Sequence, residues 1–477
     1  MTNVSVKYRW REDKEFARQY IAGVNPTLIT SVSAKPIPST FNTTQAAVSK
    51  INQVLSSRSE PNFDALLKAQ KIYFVDYEML DGISAIPGRV YHVPIVLFYL
   101  ASNNTLLPLA IQLERDASST NEVFTPLDRE EVWMFARIHC MHSDALVHEF
   151  VQHLGFTHLA IEPIIIAFYR ILPPSHPLML LMKPHFKQTL AINDFGRKTL
   201  LKPGGIFDTI STVGLKGGLE IMSKAYTSIY NVTKRSVPEQ LRERGFFEIS
   251  NGTVDNLPGY YFRDDAFKVW NAMKKYVTAA VNNHYLIGSC GDDRDQFVRN
   301  DQYLLALYEE LSRNETAGVR GMPRLDSDEN LIDFLTTVIW TASGQHSAVN
   351  FGQEDYYAFV PNRPFLMTKL MPSDRSQVTW NYIISALPNG AQSVQAVKTA
   401  GTLSLNVDAQ LFPGTSAPQN FKDIEKGHVF GKEYTNFLVE LYDLNDEFIK
   451  RNADLVKANG VPYPYLTPDQ IAASIAI

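Results

Sequence analysis

Four of the eleven histidines of the chain lie in one short stretch, at positions 142, 148, 153 and 158. The last three are each five residues apart. An α-helix turns by about 100° per residue, so side chains five residues apart point about 140° away from each other. A π-turn, with hydrogen bonds from residue i to i+5, would bring them onto one face, and such turns are enriched at functional sites. The spacing therefore predicts a metal site only on a deformed helix, and structural histidines stay open as the alternative.

A second group of polar residues follows in the segment TASGQHSAVNFGQ at residues 341–353. His346 and Asn350 are four residues apart and share one face of a helix. A neutral imidazole and an amide oxygen can both bind a metal, but imidazole suits iron, zinc and copper alike. Asn350 alone is equally explained as a residue that satisfies backbone groups in the core.

The other conspicuous residues indicate packing rather than catalysis. Cys140 is interpreted as a packed thiol, because no pattern typical of a cysteine nucleophile accompanies it. The pairs Gly204-Gly205 and Gly217-Gly218 are interpreted as turns, since neither matches a phosphate-binding or dinucleotide-binding fingerprint.

The composition excludes several classes of protein. A net charge of -5 without a basic run argues against a nucleic-acid partner. Two cysteines, Cys140 and Cys290, give no disulfide framework, so we expect a reducing, cytoplasmic location. The N-terminus lacks the apolar core of a signal peptide, and no apolar run of about 18 to 20 residues predicts a membrane span. A transient contact with a membrane surface stays open.

The pattern along the chain predicts helices around a small β element. No repeat, low-complexity segment or linker divides the chain, so we expect a single domain over residues 1–477. Residues 93–113 predict a hairpin with a polar turn at 102–104. Helical periodicity runs over residues 130–172, with Pro163 disturbing the hydrogen-bond ladder. Further helices are predicted at residues 263–285, 297–313, 328–351 and 427–457.

The last residues, PYPYLTPDQIAASIAI at 462–477, are irregular and become apolar at the end. An apolar C-terminus is unusual because the free carboxylate prefers water. If Ile477 is buried, a positive charge must compensate its carboxylate.

Taken together, these motifs resemble the catalytic domain of the lipoxygenase family. The segment HEFVQHLGFTHLAIEP at residues 148–163 resembles the family's histidine signature, and residues 341–353 resemble its second metal motif. Supporting matches are WREDKEFARQYIAGVNP at residues 10–26, His176-Pro177 with Lys183-Pro-His185-Phe, and the final residues 474–477. The resemblance implies a mainly α fold, with one large helical catalytic domain and small antiparallel β elements.

The resemblance also implies one non-haem iron per chain, rather than manganese, with a metal-bound hydroxide as the only catalytic group. It implies five ligands: His153, His158, His346, Asn350 and the carboxylate of Ile477. Three further residues would lie behind the ligands: His148, Glu149 and Gln353.

The activity implied is the addition of O2 to polyunsaturated fatty acids of the linoleate, linolenate and arachidonate class, as in oxylipin biosynthesis. The reaction removes a bis-allylic hydrogen atom and yields a hydroperoxide. Two alternatives stay open: a hydroperoxide isomerase on the same fold, and a fatty-acid-binding protein without catalysis.

Four residues are expected to contact the substrate: Gly196, Leu200, Ile210 and Arg363. Gly196 matches a position that is often glycine in enzymes giving R products, because a methyl group there would shield one end of the pentadiene radical. Arg363 resembles an arginine that binds the substrate carboxylate, since guanidinium and carboxylate pair in a bidentate manner. A surface or interdomain salt bridge is the alternative for Arg363.

One feature departs from the family pattern. Lipoxygenases of plants and animals begin with a lipid-binding β-sandwich, whereas only a few residues precede the first motif here. We therefore expect either a minimal lipoxygenase or the catalytic part of a longer fusion.

Overall fold

The computed structural model describes residues 7–115, 121–248, 253–254, 257–286, 295–405 and 430–477. Helices account for 59% of the structure and strands for 6%. These fractions confirm the prediction of a mainly helical fold with small antiparallel β elements. Cys290 lies outside the described residues.

Nineteen α-helices can be followed through the described part of the chain. They are α1 (Asp13–Ala22), α2 (Gln45–Ser57), α3 (Phe63–Lys68), α4 (Glu130–Val147), α5 (Ala160–Ile171), α6 (Pro177–Met182), α7 (Thr189–Thr199), α8 (Ile206–Ile210), α9 (Gly214–Ser228), α10 (Val237–Glu243), α11 (Tyr261–Leu286), α12 (Asp295–Arg299), α13 (Gln302–Ser312), α14 (Asp328–Trp340), α15 (His346–Asn350), α16 (Gln353–Tyr357), α17 (Trp380–Ala386), α18 (Gly390–Leu403) and α19 (Gly431–Lys457). Two π-helical segments, His148–Leu159 and Thr341–Gln345, join α4 to α5 and α14 to α15.

Five strands form one antiparallel sheet in chain order, and two more form a separate pair. They are β1 (Thr30–Ser31), β2 (Ile72–Asp76), β3 (Ile95–Leu100), β4 (Leu106–Gln112) and β5 (Val123–Phe124), with β6 (Phe247–Glu248) and β7 (Thr253–Val254) as the pair. The pairing of β3 with β4 confirms the predicted hairpin. Asn104 in its turn has a φ of 63°, a left-handed conformation that asparagine tolerates.

The sheet separates two apolar clusters. Along β3, Leu97 and Tyr99 belong to a small cluster with residues of α2 and α3, whereas Val96 and Phe98 belong to the large core. Alternate residues of a strand point to opposite faces, so β3 is buried on both sides. The large core contains the helices that carry the histidines.

The predicted helix at residues 130–172 is one helical rod, Glu130–Ile171, that changes type in its middle. Pro163 lies in the first turn of α5, directly after the π segment, so the predicted disturbance coincides with the change of helix type. By length and composition the rod could cross a membrane, but 61% of its most apolar window is buried inside the protein. Burial in the core accounts for its apolar composition.

Two other predictions need correction. The helix expected at residues 297–313 is two helices, because the Asp301 side chain accepts the N–H groups of Tyr303 and Leu304 and starts α13 afresh. Gly217 and Gly218 lie inside α9 rather than in a turn. A Cβ on Gly218 would come within 2.4 Å of the Phe150 ring, so this glycine lets α9 pack closely against the first π segment.

Candidate metal centre

Three histidine side chains converge in the core of the protein. The Nε2 atom of His158 lies 3.1 Å from Nε2 of His153 and 3.2 Å from Nε2 of His346. All three side chains are buried. The described residues hold a second cluster of potential metal ligands, His176, His284 and Asp301, near the start of α13.

The first π segment explains how His153 and His158 meet. A regular α-helix would separate them, and the predicted π distortion is confirmed over His148–Leu159. The hydroxyl of Thr157 donates to the carbonyl oxygen of His153, four residues earlier. This side-chain bond competes for the acceptor that an α-helical N–H would use, which favours the wider turn.

Sequence reasoning missed the second π segment, Thr341–Gln345, which immediately precedes His346. Its local signals are similar: the hydroxyls of Thr341 and Ser343 donate to carbonyl oxygens four residues earlier, at 2.7 and 2.6 Å. Gly344 packs under Trp340, where a Cβ would lie 2.2 Å from the indole ring. Both helices that supply histidines are therefore deformed at the site.

Hydrogen bonds determine the tautomers of two of the rings. His153 Nδ1 donates to Glu149 Oε2 at 3.1 Å, and His158 Nδ1 donates to Asn193 Oδ1 at 3.0 Å. Asn193 Nδ2 in turn donates to the carbonyl oxygen of His158, which orients the amide. With the proton on Nδ1, each neutral ring keeps a lone pair on Nε2.

Burial keeps two of the rings, those of His158 and His346, uncharged. Desolvation, helped by the neighbouring His153, lowers the pKa of His158 to about 3. Desolvation and the other two histidines hold the pKa of His346 well below its usual range. Two lone pairs that face each other at 3.1 Å repel, and a cation between them removes this repulsion. The donor set therefore fits a metal ion, with imidazole orientation held by carboxylate and amide groups as metal sites require.

The cluster opens onto an apolar cavity of about 1080 Å³, its open mouth included, which we call the histidine cavity. Its lining includes His153, His158, Gly196, Leu200 and Ile477.

A neighbouring cavity of about 510 Å³, the arginine cavity, is lined by Glu149, Ile210, Gln353 and Arg363. The two cavities share Thr399 of α18 as a lining residue. The four predicted substrate residues are thus divided between two adjoining spaces.

A model of the lipoxygenase family matches residues 3–468 of the chain. The chain belongs to the lipoxygenase family. It is 30% identical over 98% of its length to the human polyunsaturated fatty acid lipoxygenase ALOX15B, covering 66% of that protein. It is 30% identical over its full length to the human hydroperoxide isomerase ALOXE3, covering 64% of it.

Solved lipoxygenase structures have the same fold. A calcium-dependent 11R-lipoxygenase superimposes with a TM-score of 0.86 over 99% of this chain and 66% of that one, at 29% identity. The chain spans about half the length of the curated relatives that it matches first.

In this lipoxygenase, Asn350 lies one turn after His346 and is fully buried. Its Oδ1 accepts a hydrogen bond from Gln353 Nε2 at 2.8 Å, and its Nδ2 donates to the carbonyl oxygen of Leu403 at 2.8 Å. The two bonds fix the amide orientation and leave Oδ1 one further lone pair. Asn350 stays a predicted ligand, connected through Gln353 to the arginine cavity.

The C-terminal tail of the lipoxygenase chain ends beside the histidines. The N–H of Ala472 donates to Ser347 Oγ at 3.1 Å, next in sequence to His346. His185 Nδ1 donates to the carbonyl oxygen of Ala473 at 2.8 Å. Ile477 then shares the histidine cavity with His153 and His158, where its carboxylate remains a predicted ligand.

His148 stands behind the cluster. Its Nδ1 accepts from the hydroxyl of Tyr357 at 2.8 Å, and its Nε2 donates to the carbonyl oxygen of Val349 at 2.7 Å. Neither nitrogen is left for a metal. Glu149, beside it, contacts His153 through Oε2, while Oε1 has no hydrogen-bond partner.

Arg363 forms a buried ion pair that the sequence did not reveal. Its Nη1 contacts Asp144 Oδ2, and both side chains are only 1% exposed. Asp144 also accepts hydrogen bonds from Tyr77 and Asn25, each at 2.9 Å. The guanidinium charge is thus already compensated, although Nε has no hydrogen-bond partner. The available sequence signal was Asp144 itself, an acidic residue that directly precedes the apolar residues 145–147 of the predicted helix.

Proposed function

We propose that this lipoxygenase is a non-haem iron dioxygenase that converts polyunsaturated fatty acids of the linoleate and arachidonate class into hydroperoxides. The observation that carries the proposal is the convergence of three imidazole Nε2 atoms, two of which belong to rings, His153 and His158, that line an apolar cavity. Iron held there supplies the one-electron chemistry that removes a bis-allylic hydrogen atom. The ligand types suit both iron and manganese. We propose iron because it is the metal that the family uses.

The residues of the histidine cavity position the acyl chain. Leu200, Leu201 and Ile206 contribute an apolar wall, and a cavity of this volume accommodates a ligand of fatty-acid size. The apolar wall excludes water and favours an acyl chain over polar molecules of equal length.

We propose that the fatty acid enters methyl end first, with its carboxylate at the mouth of the histidine cavity. Lys398 lines this cavity and is exposed, whereas Arg197 in the same lining is paired with Glu162 at 2.8 Å. A carboxylate bound at Arg363 instead would add a second negative charge to the buried Asp144 pair, which is costly. Anchoring at Arg363 is therefore the competing outcome, tested by the variants described in the Discussion.

We propose mainly R-configured products. Gly196 lines the histidine cavity, and the space where its Cβ would stand is open, with no atom within 4 Å. The open space leaves one end of the pentadiene accessible to O2. The structural relative named as an 11R-lipoxygenase agrees with this proposal at 29% identity.

A contact with a lipid surface would deliver this substrate. Phe195 on the cavity rim is 64% exposed. Residues 183–202 carry five cationic side chains and one acidic one, Asp194, in a chain whose net charge is -5. An exposed aromatic ring among cations matches the interface of an anionic membrane. Sedimentation with phosphatidylserine vesicles should decrease for Phe195→Ser, and unchanged sedimentation would exclude this contact.

A hydroperoxide isomerase is the second candidate, favoured by the 30% identity to ALOXE3. The two functions are separated by incubating iron-loaded protein with linoleate under air and, in parallel, with a linoleate hydroperoxide under argon. A dioxygenase consumes O2 and forms conjugated diene from the free acid. Conversion of the hydroperoxide alone would establish the isomerase, and inactivity on both with tight fatty-acid binding would indicate a carrier.

A further inference from the structure

We propose that His176, His284 and Asp301 form a second site for a divalent transition-metal cation, separate from the histidine cluster of the core. The proposal does not depend on the activity of the protein, because it concerns residues outside both cavities.

The three side chains come from different parts of the chain. One potential ligand atom of each lies within 4.8 Å of the others. His176 Nε2 is 3.8 Å from Asp301 Oδ2, and the two imidazole rings are 5.3 Å apart at 74°. His176 precedes α6, His284 lies in the last turn of α11, and Asp301 precedes α13. Such convergence of three segments on one small volume is the geometry of a metal site.

Hydrogen bonds hold the carboxylate of Asp301 in position. Asp301 Oδ1 caps α13 by accepting the N–H of Tyr303 at 2.8 Å, which leaves Oδ2 facing the histidines. The hydroxyl of Tyr285 donates to Oδ2 at 2.7 Å and fixes its position. His284 and Asp301 are partly exposed, so a cation can enter from solvent.

Two imidazoles and one carboxylate select the kind of cation. Magnesium and calcium prefer oxygen ligands, whereas imidazole suits zinc, nickel and copper. Three protein ligands leave at least one position for water, as in catalytic zinc sites.

Binding has an identifiable cost. The N–H of Leu178 donates to His176 Nδ1 at 3.2 Å, so the neutral ring carries its proton on Nε2. Coordination through Nε2 moves this proton to Nδ1 and removes the bond to Leu178. The hydrogen bond from the Leu178 N–H is long and therefore weak. Its loss reduces the affinity for the cation but does not prevent binding. The bound cation links the end of α11 to the starts of α6 and α13 and stabilises the folded state by mass action.

The test uses iron-loaded protein, so that the core site is filled before zinc is added. After gel filtration, we expect one zinc per chain with unchanged iron content, and a higher melting temperature with zinc than without. His284→Gln and Asp301→Asn should each lower zinc uptake at least tenfold. Asparagine also caps helices, so Asp301→Asn keeps the start of α13. His92→Gln, which removes a histidine elsewhere, should bind zinc as the parent does.

Three results would overturn the proposal. The first is a parent protein that retains no zinc at saturating concentration, and the second is zinc uptake at the expense of iron. The third is parent-like zinc binding by both site variants. Because one of the two variants keeps every histidine and the other keeps the carboxylate, a folding defect in either leaves the other informative.

Discussion

His153 and His158 bring their Nε2 atoms to 3.1 Å although they are five positions apart in the chain. The π-helical turn between them makes this approach feasible, and the hydroxyl of Thr157 supports that turn by bonding to the His153 carbonyl oxygen. The deformation is unfavourable in isolation, because a π-helix is rarer and less stable than an α-helix. The iron that we propose at this site would offset that cost.

Removing the hydroxyl of Thr157 should loosen the metal site. Thr157→Val keeps the shape but deletes the bond to the His153 carbonyl, which should cost about 1 kcal/mol of stability. Iron should then dissociate several-fold faster into a chelator. Thr336→Val is the matched control, since Thr336 makes the same kind of buried bond, at 2.7 Å to Ile332. Equal iron loss in both variants would mean that the π turn has no special role.

Removing a ligand should remove the metal. We expect less than one tenth of the iron to remain in His153→Ala or His346→Ala. The same result is expected when Ile477 is deleted or when residues are added after it. The free energy of metal binding in protein sites is on the order of 10 kcal/mol, so the loss of one ligand is readily measured. The measurement is iron per chain by atomic spectroscopy, together with oxygen uptake. His284→Gln is the control, because it removes a histidine outside the cluster. Full iron and turnover after truncation would show that the terminal carboxylate is no ligand.

The sequence predicted the elements of this fold better than it predicted their contacts. The π segment could be predicted once His153 and His158 were both taken as ligands, because the five-residue spacing puts them on different faces of a regular α-helix. The π segment before His346 was missed, since Thr341 and Ser343 are common in ordinary helices. The partner of Arg363 could not be predicted, because Asp144 lies 219 positions away and only the fold brings them together.

Loss of the ion pair between Arg363 and Asp144 should be the main effect of substituting either residue. Arg363→Leu leaves a buried carboxylate without its partner and should destabilise the protein by about 3 to 5 kcal/mol. Adding Asp144→Asn to Arg363→Leu should restore part of the lost stability, as measured by urea unfolding. In the double variant we expect an unchanged KM and product position, because Arg363 is paired within the protein. A raised KM or a shifted product would instead identify Arg363 as the anchor of the substrate carboxylate.

Acid should destabilise the folded protein through His185. Burial lowers the pKa of His185 to about 4, while its Nδ1 donates to the Ala473 carbonyl oxygen. The unfolded chain, with a histidine pKa near 6.5, takes up the proton first as the pH falls. The contribution of His185 to the free energy of unfolding is therefore fully present above about pH 6.5. It decreases by roughly 3 kcal/mol as the pH falls toward 4. His185→Gln can still donate the bond and should lose about 2 kcal/mol less than the parent between pH 7 and 5. Equal losses in urea titrations would exclude His185 as the cause.

Gly196 should determine on which carbon and which face O2 adds. Its Cβ position is empty within 4 Å, so Gly196→Ala introduces a methyl group into the histidine cavity without a clash inside the protein. Alanine also favours the helix by roughly 1 kcal/mol, so stability should not decrease. The new methyl group should shield one end of the pentadiene radical, and a barrier difference of about 1.4 kcal/mol changes the product ratio tenfold. Chiral chromatography should therefore show mainly R hydroperoxide from the parent and a shifted position and chirality from Gly196→Ala.

The matched control for this change is Gly390→Ala. Gly390 also has no atom within 4 Å of its Cβ position, but it begins α18 outside the lining of either cavity. Its products should match those of the parent, which separates the effect of a methyl in the cavity from that of a stiffer backbone. Two results would rule out Gly196 as the stereochemical determinant. One is mainly S product from the parent, and the other is identical products from Gly196→Ala and Gly390→Ala. In either case, other residues of the cavity would direct the addition of O2.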